Sequence, residues 1–146
     1  MKNMKSSNPG YLVLRSVIFV ILFLLPDCNK FESDQMKIKV GTPFTAEVGI
    51  RYQIDNNLSF TIDSIKDQRC PRLVECFWSG FVALSFNITQ NRTSIDTLIY
   101  FMMPLNNPFH IDNYKWEVLE VVPWLEYGQL IDQEDYRVKM IIEHDE

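Results

Sequence analysis

Leu58-Ser59-Phe60-Thr61-Ile62-Asp63 puts an apolar side chain at every second position, and Val82, Leu84, Phe86 and Ile88 resume the alternation further on. Successive side chains of a strand point to opposite faces, so period two marks a strand with one buried and one wet face. Tyr114, Trp116 and Val118 repeat it, as do Tyr136, Val138, Met140 and Ile142. These residues are the expected core. Weaker runs over Met36 to Val40, Phe44 to Tyr52 and Ser94 to Met102 bring the expected total to about seven strands. Gly41-Thr42-Pro43, Asp55-Asn56-Asn57, Gln90-Asn91-Arg92, Pro104-Leu105-Asn106-Asn107-Pro108 and Asp112-Asn113 supply turn chemistry between them. No run shows a convincing helical period. The pattern is that of an all-β antiparallel sandwich or barrel, and we expect an immunoglobulin-like β-sandwich over residues 38–146.

Between the first two alternating runs lies Asp67-Gln68-Arg69-Cys70-Pro71-Arg72-Leu73-Val74-Glu75-Cys76-Phe77-Trp78-Ser79-Gly80. It reads as a corner pinned by a Cys70–Cys76 disulfide. A spacing of six fits neither a two-residue redox motif nor a zinc knuckle, which needs further ligands. Pro71 has no N–H and a fixed φ, which suits a departure from a strand. Trp78 is expected to lie as an apolar face beneath the disulfide, and Gly80 to let the chain bend into the next strand. If any helical turn occurs, Cys70 to Cys76 is the place for it.

The chain opens with Lys2, Lys5 and Arg15, then the apolar run Val17 to Leu25, then Pro26-Asp27-Cys28. This is the layout of a signal peptide over residues 1–27. The apolar run falls short of the roughly 20 residues a spanning helix needs. Leu24-Leu25-Pro26-Asp27-Cys28 loosely resembles a lipobox, although Asp27 stands where that pattern has a small residue. Cys28 is therefore the expected lipidation site, and the polar stretch 28–37 the tether between membrane and domain. With Cys28 acylated and Cys70 paired to Cys76, all three cysteines of the chain are accounted for.

From residue 28 onward the chain carries 11 Lys and Arg against 18 Asp and Glu, a formal charge of −7. A strongly acidic domain repels phosphate backbones, so no nucleic-acid partner is expected.

The order Asp67, Arg69, Cys70, Pro71, then Cys76, Trp78 and Gly80, followed by an alternating strand, resembles a family of small exported bacterial proteins and lipoproteins. Their segments read Asp-Ser-Arg-Cys-Pro and Cys-Val-Trp-Ala-Gly; Gln68 and Ser79 depart from that. The stretch Tyr114 to Pro123 is also similar to the family's penultimate strand. The resemblance implies an exported, disulfide-bearing, mostly β protein, and it implies no activity.

Catalytic groups are sparse. His110 and His144 are the only histidines, the second in the charged tail Glu143-His144-Asp145-Glu146, which is expected to be solvated. No phosphate loop, nucleophile elbow or His-Glu-x-x-His is present, so no catalytic residues, cofactor or metal site are assigned. Asp132-Gln133-Glu134-Asp135 is expected to be a solvated hairpin turn. A small hydrolase using Asp63 or Glu75 is the alternative from another class, and a purely structural envelope component a third. Phe77, Phe109, Trp124 and Tyr127 stand in turn-like segments, where aromatic rings can stack on sugars or anchor a protein, or, for Trp124 and Tyr127, fold back to cap the open end of the core. The preferred expectation is a non-catalytic binding or accessory module, held to a membrane by its lipid, with an envelope protein or glycan as partner.

Overall fold

The computed structural model describes residues 35–103 and 107–145. The expected signal peptide and Cys28 lie outside the described residues. Among the described residues nine strands form: β1 (Gln35–Lys37), β2 (Phe44–Glu47), β3 (Arg51–Gln53), β4 (Leu58–Asp67), β5 (Val82–Gln90), β6 (Thr93–Phe101), β7 (Phe109–Ile111), β8 (Tyr114–Val122) and β9 (Arg137–His144). They make two sheets, ordered β1-β3-β4-β5-β6 and β2-β9-β8-β7. Every ladder is antiparallel except that of β1 with β3.

The all-β expectation holds, and the two sheets share one apolar core. All fourteen residues named above as core from their alternation are buried. Phe60 of the first sheet meets Trp116 of the second edge-on at 5.1 Å between ring centroids, and Tyr52 stacks on Phe60 at 5.2 Å. Offset and edge-on ring pairs of this kind add about 0.5 to 1.5 kcal/mol beyond the area they bury.

The immunoglobulin order is not the one seen. In an immunoglobulin domain strands A, B, D and E share one sheet and C, F and G the other, so the chain changes sheets in mid-course. Here β3 to β6 follow one another in one sheet and β7 to β9 in the other.

The count rises from about seven to nine for two physical reasons. The run Phe44 to Tyr52 is two strands, broken where Gly49 takes φ +80° and the chain passes from one sheet to the other. Phe109–Ile111 is a strand of three residues, too short for its period to be seen. The domain also begins earlier than residue 38, because Gln35–Lys37 is already paired to β3.

Two bulges explain where the core pattern continues. One extra residue in a strand reverses the facing of all that follow. Asp63 is the extra residue of β4, so Ile65 rather than Ser64 is buried. Leu119 plays that part in β8, so Val121 is buried and Leu119 is left exposed.

Candidate functional site

At the end of β4 the chain places Asp67 and, two residues on, Arg69, with side chains 2% and 0% exposed. The guanidinium forks onto the carboxylate: Nε donates to Oδ1 at 2.9 Å and Nη2 to Oδ2 at 2.5 Å. Its remaining donors reach the other sheet, Nη1 to the Val121 carbonyl at 2.7 Å and Nη2 to the Pro123 carbonyl at 2.8 Å. Only arginine offers that many donors in one plane, which is why a buried charge is stable here. The Tyr136 hydroxyl donates to Asp67 Oδ2 at 3.4 Å. Burial, and then the Asp67 carboxylate beside it, push the Tyr136 hydroxyl up to about 12.

The segments 68–81 and 123–136, which leave this cluster, are joined to each other. Trp124 lies against Arg69 and donates its indole N–H to the Cys70 carbonyl at 3.0 Å. The Arg72 N–H donates to the Leu125 carbonyl at 2.9 Å. The Gln133 amide accepts from the Ile65 N–H at 2.7 Å and donates to the Ile65 carbonyl at 2.9 Å, behaving as a strand partner for β4 beside its bulge. Gln133 belongs to a short 3-10 turn, Gln133–Asp135, so the expected hairpin turn is instead a helical turn.

The Cys70–Cys76 disulfide is present, with Cα atoms 6.0 Å apart, and the loop it closes is not helical. Pro71 follows Cys70 directly as the chain leaves the brace. Gly80 has φ +77°, and a Cβ there would stand 2.0 Å from the Gln68 carbonyl oxygen. The motif glycine is therefore required by close backbone approach as well as by the bend.

Among exposed polar residues, these braced loops hold several large apolar side chains outward. Leu73 is 107% exposed, Phe77 105%, Leu130 99%, Tyr127 81% and Trp78 56%. Leu73 also has φ +64°. A leucine in the left-handed region is strained, and such strain persists only where surrounding structure enforces it. An open cleft of about 670 Å³ lies between the loops, lined by Arg72, Leu73, Val74, Glu126 and Tyr127.

Of the aromatic residues singled out in the sequence, Phe77 and Tyr127 belong to this surface. Trp124 does not: it is half-buried and spent on Arg69 and Cys70. Phe109 is a correction, being a buried residue of β7 between Phe86 and Trp116 at 5.9 and 5.5 Å. Trp78 is a second, since it leans on Phe81 at 5.8 Å with more than half of its surface open instead of lying under the disulfide. Leu73 and Leu130 were missed, because an isolated leucine in a loop carries no sequence signal of its exposure.

The polar candidates lie elsewhere. His110 Nδ1 is 2.8 Å from Asp145 and the His144 ring packs on Tyr114 at 4.9 Å, so the tail is exposed at His144 and Asp145 as expected, yet paired at the end of β9. Asp63 sits in the β4 bulge and Glu75 in the disulfide loop, both exposed. Among the described residues no three His, Cys, Asp or Glu side chains gather as metal ligands would.

Compared with known proteins, the chain matches no family model, no curated protein and no solved structure.

Proposed function

We propose that this protein is a membrane-anchored bacterial envelope lipoprotein whose β-sandwich serves as a non-catalytic binding module, with the disulfide-loop end as its contact surface. One observation supports the reading above others: five large apolar side chains stand in solvent on two loops held rigid from beneath by Arg69, Asp67, Trp124 and Gln133. Solvent-exposed apolar clusters on an ordered scaffold mark contact sites, and rigid loops lose little entropy when they bind. Most of the motif resembling exported bacterial proteins falls on the brace (Asp67, Arg69, Cys70, Cys76, Gly80), and its Trp78 stands on the exposed surface above it. The signal-peptide layout and Cys28 support export and anchoring.

The test is photo-crosslinking in membranes of the native host from a reactive residue at position 77 or 127, against controls at Asp96 and Lys139 on exposed strand positions. Adducts from the first pair alone are expected. Equal labelling from all four positions would overturn the assignment of the surface.

A further inference from the structure

The apolar end is the end of the domain toward which β1 points at its N-terminal residue, and that relation follows from strand register. Gln35, the first described residue, stands level with Arg51 and hence with Thr61 of β4, while Lys37 stands level with Ser59. Followed backward from Lys37 to Gln35, β1 therefore runs along β4 toward Asp67, the end that carries the disulfide loop. At about 3.3 Å per residue, the six residues from Thr61 to Asp67 cover about 20 Å. The seven residues from Cys28 to Gln35 reach at most about 25 Å. A lipid on Cys28 thus holds Gln35 within that distance of a bilayer.

We propose that Leu73, Phe77, Trp78, Tyr127 and Leu130 insert into the interfacial layer of the membrane to which Cys28 tethers the chain, so that lipid anchor and loop tips fix the domain upright on the bilayer. The inference rests on the proposed acylation of Cys28 and names the bilayer as the occupant of the contact surface. The chemistry fits. Trp and Tyr favour the headgroup level, where a ring can be half wet, and leucine and phenylalanine favour the acyl boundary beneath it. The acyl groups on Cys28 hold the chain to the bilayer but leave its orientation free, and a second signal, the loop tips, fixes it. Electrostatic attraction is not that signal, since Glu75 and Glu126 stand among the tips and the chain is acidic. The contact is therefore expected to be apolar, indifferent to salt and to lipid charge.

The full chain, isolated from host membranes and reconstituted in phosphatidylcholine vesicles, is tested with lipids brominated near the glycerol end of the acyl chains, which quench tryptophan only at that depth. Trp116 is in the core and Trp124 against Arg69, so the difference between wild type and Trp78→Phe isolates Trp78. Bromination is expected to lower the Trp78 emission at least twofold, equally at low and high salt, and Leu73→Ser with Phe77→Ser to abolish the effect. The intact mass of the same sample reports the lipid on Cys28. An acylated chain whose Trp78 is untouched by bromine overturns the insertion while leaving the anchor standing, as does a Trp78 shielded by a second copy or an envelope protein. An unacylated chain that is still quenched on added vesicles overturns the anchor and keeps the insertion; one that is not quenched loses both.

Discussion

The Arg69 guanidinium carbon stands 4.4 Å from the centre of the Trp124 ring, a cation held against an aromatic face with almost no water around it. A desolvated pair of this kind contributes on the order of 2 kcal/mol. Because the same guanidinium spans from β4 to the β8 end, it is the element that converts two long loops into one platform.

Arg69→Met leaves the Asp67 carboxylate buried without its partner and two carbonyls without donors. Breaking one member of a buried pair costs about 3 to 5 kcal/mol. We expect a loss of that size in urea denaturation. Arg69→Lys should recover less than half of it, because a single ammonium cannot serve Asp67, Val121 and Pro123 at once.

The disulfide closes a loop of only a few residues, so its effect on the unfolded chain is modest, about 2 kcal/mol. The double variant Cys70→Ser with Cys76→Ser should lose that much in thermal or urea melts and keep the β circular-dichroism spectrum, since the core lies outside the loop. Loss of the spectrum at room temperature would show that the corner is needed to fold.

Gly80 and Gly128 share φ +77°, yet only Gly80 faces backbone within 3 Å. Gly128→Ala should cost about 1 to 2 kcal/mol, the left-handed penalty alone. Gly80→Ala should cost clearly more, because the Gln68 backbone must move. Equal destabilisation of the two would contradict the packing at the corner.

Stability should fall toward both extremes of pH. Hydrogen bonds from the Asn57 N–H, then from the Tyr114 hydroxyl and the Leu58 N–H, hold the Asp55 carboxyl below its usual range against the opposing effect of burial. The folded state then binds this proton less readily than the unfolded chain. The stabilisation is present above the unfolded value near 4 and lost as pH falls through the lower folded one. Tyr52, Tyr114 and Tyr136 are all pushed up, chiefly by burial, Tyr136 to about 12. Their contribution is present below pH about 10 and lost as pH rises toward 12. Asp55→Asn should flatten the acid limb of a urea-midpoint profile, and Tyr136→Phe part of the alkaline limb.

The strands and core were legible because alternation is a local property: Leu58 to Ile62 and Val82 to Ile88 state their buried face without reference to anything else. The bulges at Asp63 and Leu119 were not, since a single inserted residue looks like the end of a pattern and not its reversal. Phe109 was misplaced for a related reason. Its strand is three residues long, and its burial depends on Phe86 and Trp116 across the core. The Cys70 to Gly80 corner announced itself by composition. The role of Arg69 did not, because its acceptors at Val121 and Pro123 lie more than 50 residues away. Charged residues are almost never fully buried unless paired, and nothing in the sequence marks Arg69 as one that is.

The envelope reading, and the upright orientation given to the domain, depend on a chain carried across a membrane and retained there through Cys28. The intact mass of the protein from native-host membranes, before and after reduction, tests this most directly. The account predicts a chain that begins at Cys28, heavier by its acyl groups, and gaining two hydrogens when Cys70–Cys76 is reduced. An unlipidated mass that still includes residues 1–27 would contradict it.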